Sequence, residues 1–397
     1  MPEQRQRVLM ILESGFPVRG GGGAESQVRT LALELMRRGH RVTVLTPLVT
    51  NAPQALVGRS SGIPVCRLRY PRVRGLGRLV LWARLAGFLL GHGRRYDAWH
   101  VHIAHYLGAL ACRLAGPLHK PVVVKISGWW ELERGLLAPR IGPFERTGLR
   151  WLRRAHAVQA ISQRLAADVA RAGFPPERIV ALPNAVDTGR FRAHARRHGG
   201  APRVFLFVGR LAREKDLGTL LDAWAEAFAG RGQCRLQLVG AGYLEPVLRS
   251  QAAQRGIAAD IDFLGHRDDI ETLIAAADLG VLPSITEGLS NTLLEFMAGG
   301  LPVVASRVSG SEDLVVGGRN GWLFEPRDVP ALAAALREAA SLPAAGLDAL
   351  GDRARADIEA FASLDAVTGL LLALYRGEDP ASLGEPPMPA QAQWQGS

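Results

Sequence analysis

Apolar residues in this chain fall into short runs separated by longer stretches with helical spacing. In the first half, residues 7–12, 41–46, 65–69, 98–102, 122–126 and 157–161 read as buried strands. Between them, residues 24–38, 76–90, 106–115 and 163–172 repeat apolar positions every three to four residues, the period of amphipathic helices. A polar, basic run over 190–202 interrupts the alternation, which restarts with strands at 204–208, 235–239, 261–264, 279–282, 302–305 and 322–324. Strictly alternating strands and helices predict an α/β fold with parallel sheets. The restart predicts two Rossmann-like domains, 1–188 and 189–363. A final helix, apolar on most faces, occupies 364–375 of a segment 364–377, and the Pro-, Gly- and Gln-rich tail 378–397 reads as disordered.

Composition narrows the picture. The 397 residues carry a net charge of +11 that is unevenly spread: residues 1–184 hold 28 Lys and Arg against 10 Asp and Glu, and residues 185–397 hold 20 against 27. No acidic residue occurs between Leu35 and Tyr96. Helix 76–90 carries Arg78 and Arg84 on an apolar background and is followed by Arg94 and Arg95. It fits either an anionic membrane surface or a core helix with arginines at its edge. No recognition motif accompanies the charge, so nucleic acid is not an expected partner. Cys66, Cys112 and Cys234 are odd in number, far apart and without metal-ligand spacing, which suits a reducing compartment. No apolar run reaches membrane-spanning length, and the run 8–12 is too short for a signal peptide. The expectation is a cytoplasmic protein, soluble or peripheral on the inner face of the cytoplasmic membrane.

The densest chemistry lies at 283–306. Glu287 and Glu295 are separated by seven residues, the first in a loop and the second one turn inside a short helix between two buried strands. Ser290 or Asn291 can cap that helix and Gly299-Gly300 can close it. A helix N-terminus just beyond a strand is an anion site, here built from Gly288, Leu289, Ser290 and Asn291. A carboxylate on either side of a phosphate site suits a ligand with hydroxyls at both ends, such as a nucleotide sugar. Gly209, Arg210 and Lys215 follow the first strand of the second domain, where open α/β sheets bind ligands. Two cations there can neutralise a diphosphate, each charge-assisted hydrogen bond being worth about 1.5–3 kcal/mol.

In the first domain, a run of four glycines ending in Gly22 and Gly23 opens a helix. Residues 13–19 separate it from its strand, and the second strand ends in Pro47 with no acid for a ribose hydroxyl, so it is not a dinucleotide fingerprint. Its missing Cβ atoms do allow close approach to an anion. His100 and His102 share one side of a strand, and His105 begins the next helix or loop. A zinc site lacks a nearby cysteine or following carboxylate, and packing and function both remain open for these histidines. Trp129 and Trp130 can stack on a sugar ring or pack a wall.

The run 283–306 resembles the Glu-x7-Glu signature of the retaining glycosyltransferases of family 4, which have the GT-B fold: two Rossmann-like domains with parallel sheets facing a central cleft. The resemblance extends to a Gly-Arg-Leu-x-x-x-Lys motif at Gly209, Arg210, Leu211 and Lys215. It includes a Gly-Gly-x-Glu turn at Gly22, Gly23 and Glu25 and a His-x-His strand end at His100 and His102, and it covers nearly the whole chain. It implies that Glu287 contacts the donor sugar, Glu295 the ribose, and Arg210 and Lys215 the departing diphosphate. It also implies retention of anomeric configuration without metal or cofactor, and a terminal helix that crosses back to the first domain. The acceptor would enter past His100, His102, Ser127, Gly128 and Trp129. One departure stands out: Ser127 occupies the place of the His in a His-Gly pair of many members, leaving Ser127, the Gly128 amide or Lys125 to substitute. The function so implied is transfer of a hexose from a nucleotide-diphosphate sugar to a glycan or lipid-linked acceptor of a surface polysaccharide or glycolipid. A small soluble acceptor, or a catalytically idle nucleotide- or glycan-binding regulator, are the alternatives.

Overall fold

The computed structural model describes residues 4–17, 22–49, 54–73, 75–191, 202–228 and 232–384. The chain divides into two units, one formed by residues 4–185 together with 364–384 and the other by residues 186–363. Both are α/β with parallel sheets, the class expected from the alternation of apolar runs.

Among the described residues the first unit holds eight strands: β1 (Arg7–Ile11), β2 (Arg41–Pro47), β3 (Val57–Ser60), β4 (Ile63–Leu68), β5 (Ala98–Val101), β6 (Val122–Ile126), β7 (Ala157–Ala160) and β8 (Ile179–Ala181). Their order is β3-β4-β2-β1-β5-β6-β7-β8, parallel except for the β3–β4 hairpin. The inner strands are buried on both faces, which is why they read as continuous apolar runs. The pattern did not announce β3 or β8. β3 is an edge strand with Val57 74% exposed, and β8 is three residues long.

The helix Leu364–Tyr375 closes this unit, burying Val367, Leu371, Leu372 and Leu374 against core residues of the sheet that include Val8, Met10 and Val123. Arg38 pairs with its Asp365. The expectation of disorder from residue 378 is corrected at its start: Pro380–Ser382 forms a 3-10 turn with Pro380 buried, and the Glu378 carbonyl lies 2.9 Å from His156 Nε2. Buried Pro380 and partly buried Leu383 supply the apolar contacts that the composition of the tail conceals. Residues 385–397 lie outside the described residues.

The second unit continues with β9 (Arg203–Val208), β10 (Cys234–Val239), β11 (Ile261–Gly265), β12 (Leu279–Leu282), β13 (Val303–Ser306) and β14 (Gly321–Phe324). All pairs are parallel, in the order β11-β10-β9-β12-β13-β14. That is the doubly wound order 3-2-1-4-5-6, whose direction reverses between its first and fourth strands, here β9 and β12. Among the described residues no helix is long and apolar enough to cross a membrane.

Candidate functional site

The reversal between β9 and β12 sets the position of the residues singled out in the second unit. Two segments leave the carboxyl ends of these neighbouring strands, one carrying Gly209 to Lys215 and the other Ser284 to Asn291. The first is fixed by backbone contacts: the Gly209 amide donates to Val239 O at 2.9 Å and the Leu211 amide to Ala241 O at 3.1 Å. Glycine is required opposite them. A Cβ on Gly240, whose φ is +130°, would sit 1.9 Å from Gly209 O, and one on Gly242 would sit 2.2 Å from Leu211 O. Neither glycine was singled out from the sequence. The signal was present as a Gly-Ala-Gly run directly after an apolar strand.

The second segment is tied to the first. The Ile285 amide donates to Glu214 O at 3.0 Å, and Thr292 Oγ1 donates to Val208 O at 3.2 Å. Lys215 Nζ donates to Glu287 Oε1, which also accepts from Ser284 Oγ at 2.8 Å. Arg210 pairs with Glu214 at 2.7 Å and is largely exposed. The structure therefore brings Lys215 and Glu287 together, sets Arg210 on the same loop, and adds Ser284 as an anchor the sequence did not single out. Two cations and two carboxylates stand in pairs, so a diphosphate arriving here would compete with Glu214 and Glu287 for its counter-charges.

The helix behind them spans Asn291–Ala298. Ser290 is its N-cap, its Oγ accepting from the Leu293 amide, and Gly299 closes it. Leu293, Leu294, Phe296 and Met297 are buried, and Gly280 on β12 gives Phe296 room, since a Cβ there would lie 2.3 Å from the ring. The amides of Gly288 and Leu289 find no acceptor among the described residues. They lie just ahead of the cap, where free N–H groups and the helix dipole favour an anion. Gly310, with φ +78°, passes close beneath: a Cβ on it would lie 2.7 Å from Gly288 O. Glu295 lies one turn into the helix. Burial, eased by Arg190 and reinforced by Glu271, pushes its carboxyl up to about 7.

The first-unit residues are placed differently. His100 and His102 do share one side, their rings stacked at 4.0 Å, but they are 0% and 1% exposed. The reading of these two as acceptor contacts is corrected. They are core residues, His100 Nδ1 lying 2.6 Å from the hydroxyl of Tyr375 on the closing helix. Burial, then the charge of Lys125, pushes the His100 imidazole down to about 3. Lys125, in register with Gln159 on β7, is itself 2% exposed, and its amine has no hydrogen-bond partner among the described residues. Burial pushes it down to about 7, Glu131 acting in the opposite sense.

Ser127 and Gly128 are half-buried at the end of β6, where Glu131 Oε1 accepts from the Ser127 amide at 3.2 Å and from its hydroxyl at 3.4 Å. Gly22 caps the helix Gly23–Arg37, and both Gly22 and Gly23 are exposed. Gly20, Gly21 and the side chain of Trp129 lie outside the described residues. Among the described residues no group of three or more His, Cys, Asp or Glu side chains is placed to hold a metal ion.

Comparison with known proteins adds a second line of observation. Residues 21–190 match a family model described as Glycosyltransferase Family 4, and residues 202–341 one described as Glycosyl transferases group 1. A Mycobacterium tuberculosis glycogen synthase is 30% identical over 404 residues, covering 94% of this chain and 96% of that protein. A glycosyltransferase assigned to colanic acid biosynthesis in Salmonella typhimurium is 31% identical over 232 residues. That match covers 56% of this chain and only 57% of the relative. Among solved structures, Anabaena Alr3699/HepE in complex with UDP superposes with a TM-score of 0.74 at 22% identity, covering 92% of this chain and 98% of that one.

Proposed function

Because the chain belongs to the group 1 glycosyltransferases of family 4, we propose that it moves a hexose from a nucleotide-diphosphate sugar to a glycan or lipid-linked acceptor, with retention and without a metal ion. The observation that carries the donor side is the pairing of Lys215 with Glu287 at the β9/β12 switch point, beside amides at Gly288 and Leu289 that have no partner among the described residues. In this reading the diphosphate draws on Lys215, Arg210 and those amides. Negative charge grows on the departing phosphate in the transition state, and donors already in position stabilise it most there. Glu287, released from Lys215 as the diphosphate takes over the amine, accepts hydrogen bonds from the sugar hydroxyls. Glu295 accepts from the ribose. A UDP complex of a protein with the same fold, and relatives in polysaccharide synthesis, support the choice of donor and acceptor class.

A membrane-borne acceptor is favoured by the helix Leu76–His92. Leu76, Leu79 and Leu90 are 52%, 64% and 58% exposed beside the exposed Arg78 and Arg84. Apolar side chains flanked by arginine suit an anionic bilayer surface, and co-sedimentation with phosphatidylglycerol vesicles tests this.

Calorimetric titration with UDP, GDP and ADP in EDTA tests the donor site. One nucleotide is expected to bind the wild type, with at least a 30-fold loss in the Arg210→Ala/Lys215→Ala variant and a smaller loss in Glu295→Gln. Failure of all three to bind the folded wild type would overturn the donor assignment. The anomeric configuration of the product, read by NMR, tests retention.

A further inference from the structure

The far end of the helix that carries Glu295 is as closely determined as its N-cap. The last four carbonyls of a helix find no partner inside it. Here those of Glu295, Phe296 and Met297 accept the amides of Gly299, Leu301 and Gly300 at 2.9, 2.8 and 2.8 Å. The fourth, Ala298 O, accepts from Arg355 Nη1 at 2.6 Å. Arg355 belongs to the helix Ala344–Phe361, which packs against the helix Asn291–Ala298. Its cation also meets the negative end of that helix dipole.

The same guanidinium holds a second segment. Nη1 donates to Phe191 O at 2.9 Å and Nη2 to Thr188 O at 3.3 Å, in the turn by which the chain enters the second unit. That turn is braced from within. Asp187 Oδ1 accepts the amides of Gly189 and Arg190, both at 3.0 Å, and Phe191 is buried. Three carbonyls of two segments thus converge on one planar group, a geometry that a lysine ammonium does not reproduce.

What the turn presents is Arg190. Its guanidinium pairs with Glu271 at 2.7 Å, and the charges of both act on Glu295. Burial holds the Glu295 carboxyl up at about 7, Arg190 drawing it down and Glu271 pushing it up. The other elements packed against this helix add little charge. β12 and β13 carry no charged side chain. On the helix Ala344–Phe361, Asp357 is engaged by Arg319 and Asn320, and Glu359 pairs with Arg355 itself at 2.7 Å.

We infer that Arg355 is a positioning residue for Glu295: its grip on three carbonyls locks the turn 187–191 to the end of the helix Asn291–Ala298 and so keeps the Arg190 guanidinium within reach of the Glu295 carboxylate. That this carboxylate meets a ribose rests on the transferase reading above; the grip and its hold on Arg190 do not.

Carbon-13 NMR of the full-length protein labelled at its Glu carboxyls tests this, the Glu295 signal being assigned by its loss in Glu295→Gln. The titration midpoint of Glu295 should rise by at least about half a pH unit in Arg190→Ala and in Arg355→Ala. Arg190→Lys keeps a cation in place and should stay near the wild type, as should Glu359→Gln, which removes only an exposed partner of Arg355. Arg355→Lys keeps the charge without the planar fork and should move the midpoint the same way, so the result does not depend on the alanine variant folding. A midpoint that stays at the wild-type value in both Arg355 variants, or in Arg190→Ala, overturns the inference. Nucleotide titration of the same proteins keeps the two readings apart. Where an ionised Glu295 binds the ribose, the raised midpoint should weaken nucleotide binding at least about twofold at pH 7 and hardly at all at pH 9. A shifted midpoint in a folded protein that binds none of UDP, GDP and ADP keeps the positioning role and removes the donor site. A nucleotide bound by the wild type, with the midpoint unmoved in the variants, does the reverse.

Discussion

A buried lysine with no hydrogen bond among the described residues is the residue with most at stake in this molecule. Lys125 lies among His100, His102 and Gln159, with the carboxylate of Glu131 acting on it and Tyr375 capping His100. Its amine is pushed from 10.5 to about 7 by burial, and 3.5 units of affinity for a proton correspond to about 5 kcal/mol. The unfolded chain binds this proton more tightly than the folded one. Stability therefore rises with pH between about 7 and 10.5, and the full penalty is carried below 7. Replacing the amine should remove that slope. At pH 7.5 Lys125→Met should be more stable to urea than the wild type by at least about 2 kcal/mol, and that gap should narrow towards pH 9.5. The difference between the two proteins is the readout, because the thiols of Cys66, Cys112 and Cys234, pushed up by burial, lower the stability of both as pH rises. A gap that does not narrow over this range would mean that the amine keeps its proton in the fold. The sequence made Lys125 visible only as a lysine in an arginine-rich chain beside the unusual Ser127. Its burial depends on a helix more than two hundred residues downstream, which local pattern does not encode.

At the level of elements, the loops after β9 and β10 lie backbone against backbone, and that closeness positions Arg210 and Lys215. Gly240→Ala should therefore act through geometry. A methyl 1.9 Å from a carbonyl oxygen at φ +130° should cost about 3 kcal/mol and displace the 209–215 segment, abolishing nucleotide binding. Gly317→Ala, with open space around it, should leave both unchanged. Thermal melts and the calorimetric titration compare the two. This contrast also marks what the sequence made legible. Strands and helices with strong apolar periodicity stand within a few residues of their expected positions, because burial on a strand or one helix face writes itself into residue type. The pairing of Lys215 with Glu287, the Ser284 anchor and the Gly240 contact join segments far apart in the chain, and their spacing carries no local trace. For His100 and His102 the sequence leaves packing and function open for the same reason. Period two fixes which side of a strand they occupy, but not whether that side is covered.

The whole molecule is divided by connectivity: the second unit is inserted between the first 185 residues and the helix that completes the first sheet. Ending the chain at residue 363 would remove Val367, Leu371, Leu372, Leu374 and Tyr375 from the first core. At about 1.5–3 kcal/mol per buried side chain, this is comparable to the entire stability of a domain, about 5–15 kcal/mol. Hydrogen exchange should then show β1, β5 and β6 unprotected while β9 to β13 keep their protection. Retained protection in β1 would show the first sheet to be stable uncovered. Synthesis order follows from the same connectivity. A ribosome finishes β8 roughly 180 residues before it starts the closing helix, an interval of roughly 10–40 s at ordinary elongation rates. Throughout that interval the strands of the first sheet are without the helix that covers one of their faces. The polar side chains on that face, His100, Lys125 and Gln159, are hydrated in the meantime, which keeps the uncovered strands from behaving as a bare apolar surface. They surrender their water only when that helix arrives, so the desolvation that unbalances Lys125 in the finished protein is deferred until long after its own strand has been made.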